Sequence, residues 1–395
     1  MIDFSKDFQR KDSSLININN GTLGLCPDVV IDAQIEELKK YEFNTSASLG
    51  GSWPRLWEVQ KQLGLFLNAS AEDLFLRPNI TVVLNDLILG LTLPQKSEIL
   101  SFEFEYGAIV NILKKKCEDD SLSLRLLKAE LLLNPQTTEA DFLTYLESEL
   151  RPETKLVVIS HIFTGTGHCV PLVKIQKLLA SKDILLIVDG AHCPGAMNID
   201  FENELRDLDF YSGNLHKWTM GPKGTAFGWV NPSKQHLLKP LMGSWTYFSE
   251  VPPHYQMFSH AGSFASRMLW SHSQSFSSYF ALEKCFSYWN QYGKEVLFKE
   301  ILERAQWVSK ELESAGLVHT TSEQRDFFSP LLCYKLDQFD ESLFNKLILE
   351  INGERVQIGR PQVPGYQFLR ISAHIHNTPT ELSKAVECLK LAKKK

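Results

Sequence analysis

From residue 156 onward the chain alternates short, continuously apolar runs with stretches whose apolar positions recur at helical spacing. Residues 156–160 form a run of the length expected for a strand buried on both faces. Leu172, Val173, Ile175, Leu178 and Leu179 fall at helical spacing within 171–181, and residues 184–188 return as an uninterrupted apolar run. Strand, helix and strand in that order predict a βαβ unit, hence a mainly parallel sheet. A further strand is expected at 225–230. Upstream, 82–91 is apolar for long enough to be a buried helix, with Thr81 near its start. Toward the C-terminus 299–315 reads as a charged amphipathic helix, 353–364 as a loop rich in Gly and Pro, and 368–372 as a short strand. Thr378-Pro379-Thr380-Glu381 opens a last amphipathic helix, with proline suited to its first turn.

With 395 residues the chain exceeds the usual size of one domain. The expected fold is therefore α/β: a large domain over 21–285 around the parallel sheet, and a smaller α+β domain built from 1–20 and 286–395. The boundary is placed near 285–297, in or after a helix starting around Ser275. No internal repeat or low-complexity linker is present.

Composition narrows the class. The hydrophobic share of 44%, the charged share of 22% and a net charge of −6 are those of an ordinary globular enzyme and argue against a nucleic-acid footprint. The first residues, MIDFSKDFQRKDSS, are polar, and no uninterrupted apolar run of about 18 residues follows. The expectation is a cytoplasmic protein without membrane contact. Seven cysteines (Cys26, Cys117, Cys169, Cys193, Cys285, Cys333 and Cys388) show no CxxC or other metal spacing, so reduced, mostly buried thiols and no metal centre are expected.

Candidate chemistry lies at the strand ends. Asp189 closes the 184–188 run in the string VDGAH, and Lys217 follows in SGNLHKW. In parallel α/β sheets ligands collect outside the carboxyl ends of strands, so these two residues can converge on one pocket. A lysine amine can hold an aldehyde cofactor as a Schiff base, and a carboxylate can keep a pyridine nitrogen protonated, making the ring an electron sink. Together they point to pyridoxal 5′-phosphate. Singly, a loop lysine is usually solvated and an Asp after a strand is usually a turn or cap residue. The start of the 82–91 helix offers free N–H groups and a favourable dipole to a phosphate, although threonine caps helices in every kind of protein.

Together these motifs resemble the class V aminotransferase family of pyridoxal phosphate enzymes, fold type I, and most closely its isopenicillin N epimerase-like branch. The likeness runs from LININNGTLGLCPDVV through SWPRLWEVQKQLGLFL and PNITVVLN to VDGAHCPGAM, DFYSGNLHKWTMGPKGTAFGWV and LRISAHIHNT. It implies that Lys217 carries the cofactor and moves the α-proton, that Asp189 pairs with the pyridine nitrogen, and that His192 contacts the phenolic oxygen or the substrate. Thr81, Asn214 and His216 would hold the phosphate, helped by backbone N–H groups at Ile80 and Thr81. Desulfurase relatives usually carry Ser at the position of Asn214. Tyr106 would stack on the pyridine face; otherwise it is a core tyrosine.

The resemblance further implies a homodimer with shared active sites, Ser263 reaching the phosphate of the neighbouring subunit. Phe264 and Ala265 stand where the epimerase-like branch often has Arg-Asp, and Arg267 either compensates or is a surface arginine. Arg370 matches the arginine that grips the substrate α-carboxylate, a role suited to its two-pronged guanidinium. Asn20 and Gly21 belong to the substrate-lining segment.

Residues 356–364 contain no cysteine. Desulfurases of this fold place their nucleophile on the loop before the carboxylate arginine, so desulfuration by that route is disfavoured. What remains is chemistry that begins at the α-carbon of a small amino-acid-type substrate. An epimerase or racemase is expected, with C–S lysis, other β-elimination or transamination as the alternative. A catalytically idle pyridoxal phosphate-binding protein is a third reading, which the intact Asp189, His192, Lys217 and Arg370 set opposes.

Overall fold

The computed structural model describes residues 1–243, 247, 262–269, 273–321, 325–340, 342 and 346–394. Its strands, in chain order, are β1 (Ile16–Asn17), β2 (Leu74–Arg77), β3 (Glu98–Phe102), β4 (Ser123–Leu127), β5 (Thr154–Ser160), β6 (Leu185–Asp189), β7 (Phe210–Asn214), β8 (Ala226–Val230), β9 (Leu332–Lys335), β10 (Ile348–Ile351), β11 (Glu354–Gln357), β12 (Gln362–Val363) and β13 (Tyr366–Ile371). Seven of them form the central sheet in the order β2-β8-β7-β6-β5-β3-β4. Pairings from β7 through β6, β5 and β3 to β4 are parallel; only β8 runs against its neighbours. This is the mainly parallel α/β fold expected from the alternating pattern.

The predicted βαβ unit is β5, the helix Leu172–Ala180 and β6. Strands β6, β7 and β8 are almost wholly buried, which explains the continuous apolar run that leads into Asp189 at the end of β6. The apolar helix expected at 82–91 spans Ile80–Gly90, and its cap is Asn79 rather than Thr81: the Asn79 side chain accepts from Val82 N at 3.1 Å. The amphipathic helix expected from 299 starts earlier, at Lys294, directly after Gly293 (φ +85°), which ends the helix Leu282–Tyr292. The last helix, Pro379–Leu391, carries the expected cap, with Thr378 and Glu381 each closing on the other's backbone N–H.

The expectation of a loop over 353–364 is corrected. Residues 354–357 form β11, paired in parallel with β1 and antiparallel with β10, and β12 pairs with β13. Glycines and prolines at 353, 359, 361 and 364 flank these strands rather than interrupt them. Ile16 and Ile18 pack with Val308, Leu312, Val356, Leu369 and Leu389 in one apolar cluster, whereas Phe4 and Phe8 join the cluster on the central sheet. No helix among the described residues is long and apolar enough to cross a membrane.

Candidate active site

A cavity of about 260 Å³ opens at the carboxyl ends of β5, β6 and β7. It is lined by Asp189, His192, Asn214, His216, Lys217, Tyr106, Ile80, Thr81, Gly21 and Arg370, residues singled out in the sequence, together with Thr22, Asn79, Ser160, Ile162, Thr164 and Ala191. The sheet explains the convergence. Asp189 ends β6 and Asn214 ends the adjacent β7, while Arg370 arrives on β13, which pairs with β9.

Asp189 is buried, and one carboxylate oxygen accepts from Ala191 N at 2.7 Å. Burial raises its pKa, against the opposing pull of that N–H and of Lys217. Burial lowers the Lys217 ammonium to about 8; Arg370 adds to the fall and Asp189 opposes it. The amine is thus far easier to deprotonate than a surface lysine. The segment carrying it lies tightly against the N-terminal loop: Gly24 N donates to His216 O at 3.0 Å, and a Cβ on Gly24 would stand 2.0 Å from Lys217 O. Lys223 points elsewhere, donating to Gly24 O at 2.5 Å.

His192 is buried and kept neutral, first by burial and then by Lys217 and Arg370. Trp218 Nε1 donates to its Nδ1 at 3.4 Å, and its Nε2 lies 2.8 Å from Thr164 Oγ1 and 3.5 Å from Lys217 Nζ.

At the other end of the cavity Ile80 N donates to Asn214 Oδ1 at 3.1 Å, so the Asn214 side chain is locked onto the first turn of the helix Ile80–Gly90. His216 Nδ1 donates to Thr225 O at 3.0 Å. Burial lowers its pKa to about 4, with Lys217 and Lys223 adding to the fall. In that neutral state Nε2 is bare and cannot donate to a phosphate. A dianion in the helix-terminal cradle opposes those lysines and favours the imidazolium, which donates from both nitrogens. Sulfate binding to the apoprotein at pH 7 is therefore expected to take up a proton and to weaken as pH rises. Calorimetry in buffers of different ionisation enthalpy reads the uptake, and His216→Gln should abolish it. Sulfate binding without proton uptake would show that Nε2 does not contact the anion.

Arg370 is buried, and no carboxylate among the described residues pairs with it. Nη1 donates to Thr164 Oγ1 (2.8 Å) and Thr164 O (3.2 Å), Nη2 donates to Thr22 Oγ1 (2.8 Å), and Nε has no partner. Gly359 permits this packing, since a Cβ there would stand 3.1 Å from Arg370 Nε. Asn20 is completely buried with neither amide atom partnered, beside Gly21, whose N–H donates to Ser372 Oγ at 2.7 Å. A buried guanidinium without a carboxylate partner among the described residues leaves an anion's place open; Asn20, unlike Gly21, is not among the residues that line the cavity.

Tyr106 caps the helix Gly107–Asp120 and is 55% exposed, so it is not a core tyrosine. Ser263 does not line its own chain's cavity. It caps the short helix Phe264–Met268, accepting from Ser266 N at 3.2 Å, and Phe264 and Ala265 are buried. Arg267 is half-buried, its Nε without a partner among the described residues. Positions 260, 261 and 270 of that segment lie outside the described residues. The sequence reading missed Thr22 and Thr164. The rule that ligands gather just beyond strand ends pointed to Thr164, which follows β5 by four residues.

The site fits pyridoxal phosphate: a buried amine of lowered basicity, a carboxylate at a strand end and a helix N-terminus face one cavity. The chain matches the Aminotransferase class-V family over residues 17–384 and belongs to it. It is a pyridoxal phosphate-dependent enzyme of that family. It is 22% identical over 391 residues to the isopenicillin N epimerase of Amycolatopsis lactamdurans, covering 96% of this chain and 95% of that one. The Streptomyces clavuligerus isopenicillin N epimerase is 26% identical over 242 residues, a match spanning 58% of its length and 60% of this chain. A probable cysteine desulfurase of Methanothermobacter thermautotrophicus is 22% identical, over 92% of this chain and 91% of its own. The cystine C-S lyase C-DES, solved with its product cysteine persulfide, shares the fold with a TM-score of 0.83 at 19% identity, covering 96% of this chain and 98% of that one.

Proposed function

We propose that this enzyme removes and returns the α-proton of an amino acid, an epimerase or racemase reaction centred on Lys217. The buried guanidinium of Arg370 without a carboxylate partner carries this reading: it faces the same cavity as Lys217 and Asp189 and is suited to an α-carboxylate. Pyridoxal phosphate, when bound, supplies an electron-withdrawing ring that stabilises charge left at the α-carbon. Asp189 would hold positive charge at the ring nitrogen; Asn214, itself held by the Ile80 N–H, would hold the phosphate with His216, Thr81 and the Thr81 N–H, and Tyr106 would cover the ring face. Lys217 takes the α-proton, and His192 Nε2 lies close enough to exchange a hydrogen bond with it. Gly21 would border the substrate, with Asn20 behind it, outside the cavity's lining residues.

C–S lysis at the same site is the second reading. It is favoured by the sulfur chemistry named for several proteins similar to this chain, among them the C-S lyase C-DES. The desulfurase route is disfavoured by the sequence 356–364, which carries no thiol, and no cysteine is among the cavity's lining residues. Incubating holoenzyme with L- and D-amino acids in deuterated water separates the readings. Epimerisation gives α-deuteration with change of chirality, whereas lysis gives pyruvate and ammonia. Pyruvate without chirality change would overturn the epimerase reading.

Arg370→Lys is expected to raise KM with the cofactor's absorption intact. A point charge keeps attraction but loses the two-pronged fit, and one charge-assisted hydrogen bond is worth about 1.5–3 kcal/mol, roughly ten- to a hundred-fold. An unchanged KM would place the carboxylate elsewhere.

The working unit is proposed to be a homodimer in which Ser263 of one chain reaches the other's phosphate. Its support is the exposure of Tyr106 at the cavity mouth and of Phe43 (93%) on the surface. Lys217→Ala and Ser263→Trp, each impaired alone, should recover part of the activity when mixed as hybrid dimers; a monomer in sedimentation would refute this.

A further inference from the structure

The N-terminal loop 20–26 crosses from the end of β13 to the turn that carries Lys217, and hydrogen bonds tie it down at both ends. At the first end Asn20 N donates to Ser372 O at 3.3 Å and Gly21 N to Ser372 Oγ at 2.7 Å, while Thr22 Oγ1 accepts from Arg370 Nη2 at 2.8 Å. At the second, Gly24 N donates to His216 O at 3.0 Å and Cys26 Sγ donates to Gly221 O at 3.2 Å. Lys223 completes that end. Its ammonium donates to Gly24 O at 2.5 Å and lies 3.5 Å from Cys26 Sγ. Gly21 and Thr22 line the cavity, whereas Gly24, Cys26 and Lys223 are not among its lining residues.

Gly24 approaches the Lys217 peptide so closely that a Cβ would stand 2.0 Å from Lys217 O. A glycine can be held only through its backbone, and its conformational freedom makes the hold matter. Here the N–H is taken by His216 O and the carbonyl by Lys223. The second bond is charge-assisted, hence the stronger of the two. We propose that Lys223 is a positioning residue of the active site: through Gly24 O its ammonium keeps the loop against the Lys217 turn and so sets where Gly21 and Thr22 stand in the cavity. This rests on the reading of that cavity as the substrate's place. The two lysines, six positions apart in sequence, thus divide the work, Lys217 inside the cavity and Lys223 behind its N-terminal wall.

Three variants separate charge, donor and packing. Lys223→Met keeps the aliphatic stem and deletes the donor, Lys223→Arg restores a charged donor, and Gly24→Ala pushes the loop away from Lys217 O. Holoenzyme labelled at its threonine methyls is followed by NMR, with amide hydrogen exchange measured alongside and acetate titrated in as the simplest carboxylate. In Lys223→Met the Gly24 amide should exchange roughly three- to tenfold faster, the net worth of one hydrogen bond. The Thr22 methyl should shift, and the acetate midpoint should rise by a similar factor. Lys223→Arg should lie close to wild type, and Gly24→Ala should displace the Thr22 methyl further than Lys223→Met. Borohydride should still label Lys217 in both Lys223 variants, and the amides of β6 and β7 should exchange as in wild type.

An unchanged Gly24 exchange rate or an unmoved Thr22 methyl in Lys223→Met overturns the proposal. So does faster exchange in β6 and β7, which would make Lys223 a general stabiliser, or a Lys223→Arg variant no different from Lys223→Met. If the cavity is not the substrate's place, acetate moves nothing in wild type, while Gly24 exchange and the Thr22 methyl still respond to Lys223→Met.

Discussion

Lys217→Ala should lower α-deuterium exchange on the substrate by on the order of 10⁴-fold, the upper end of what a positioned general base contributes. In the proposed roles of Lys217 the replacement removes both the cofactor's covalent anchor and the base. The rival base is His192, whose Nε2 is 3.5 Å from Lys217 Nζ. His192→Gln should cost far less than Lys217→Ala, because burial, Lys217 and Arg370 all lower the basicity of His192. Exchange in Lys217→Ala within tenfold of wild type would assign the base to His192. The pH dependence has a definite sign. With the Lys217 pKa near 8, the free amine becomes about tenfold scarcer for each unit below it. Capture of the cofactor aldehyde by apoprotein should therefore accelerate from pH 6 to about 8 and level off above. This is opposite to the weakening of sulfate binding expected through His216.

Asp189→Asn is expected to retain the cofactor and lose α-proton exchange by on the order of 10²–10³-fold, the scale for removing one preorganised electrostatic partner. The amide oxygen can keep the bond from Ala191 N that anchors the side chain, so the fold should survive. What disappears is the negative charge, buried and therefore weakly screened, that keeps a ring nitrogen protonated. Cofactor content by absorbance and exchange by proton NMR check the two halves separately. Unchanged exchange in a cofactor-replete variant would show that another group protonates the ring.

Much of this was legible because strand ends announce themselves. The apolar run before Asp189 could be read from hydrophobicity alone, and the rule that ligands gather at parallel-strand ends then joined it to Lys217. Arg370 was marked by the family resemblance alone, since an arginine on a short strand, now seen as β13, is by default a surface residue. The helix start was blurred because Asn79 and Thr81 are both competent caps, and only the bond from Val82 N distinguishes them. Strands β11 and β12 escaped notice for a different reason. They are four and two residues long, too short to show a period; β11 takes one of its partners from residues 16 and 17, far away in the chain, and β12 pairs with β13 across the Pro364-Gly365 turn. Thr164 lies where the strand-end rule points, but its partners, an arginine 206 residues away and a histidine 28 residues away, are visible only in three dimensions.

The central claim is that Lys217, alone among the lysines, carries the cofactor. Borohydride reduction of the yellow holoenzyme followed by peptide mapping tests it most directly. The label is expected on the peptide containing Lys217, and its absence in Lys217→Ala should leave Lys223 unmodified, since that amine is directed at Gly24 O rather than into the cavity. Label on Lys223 in the wild-type protein, or no covalent label at all, would contradict the account.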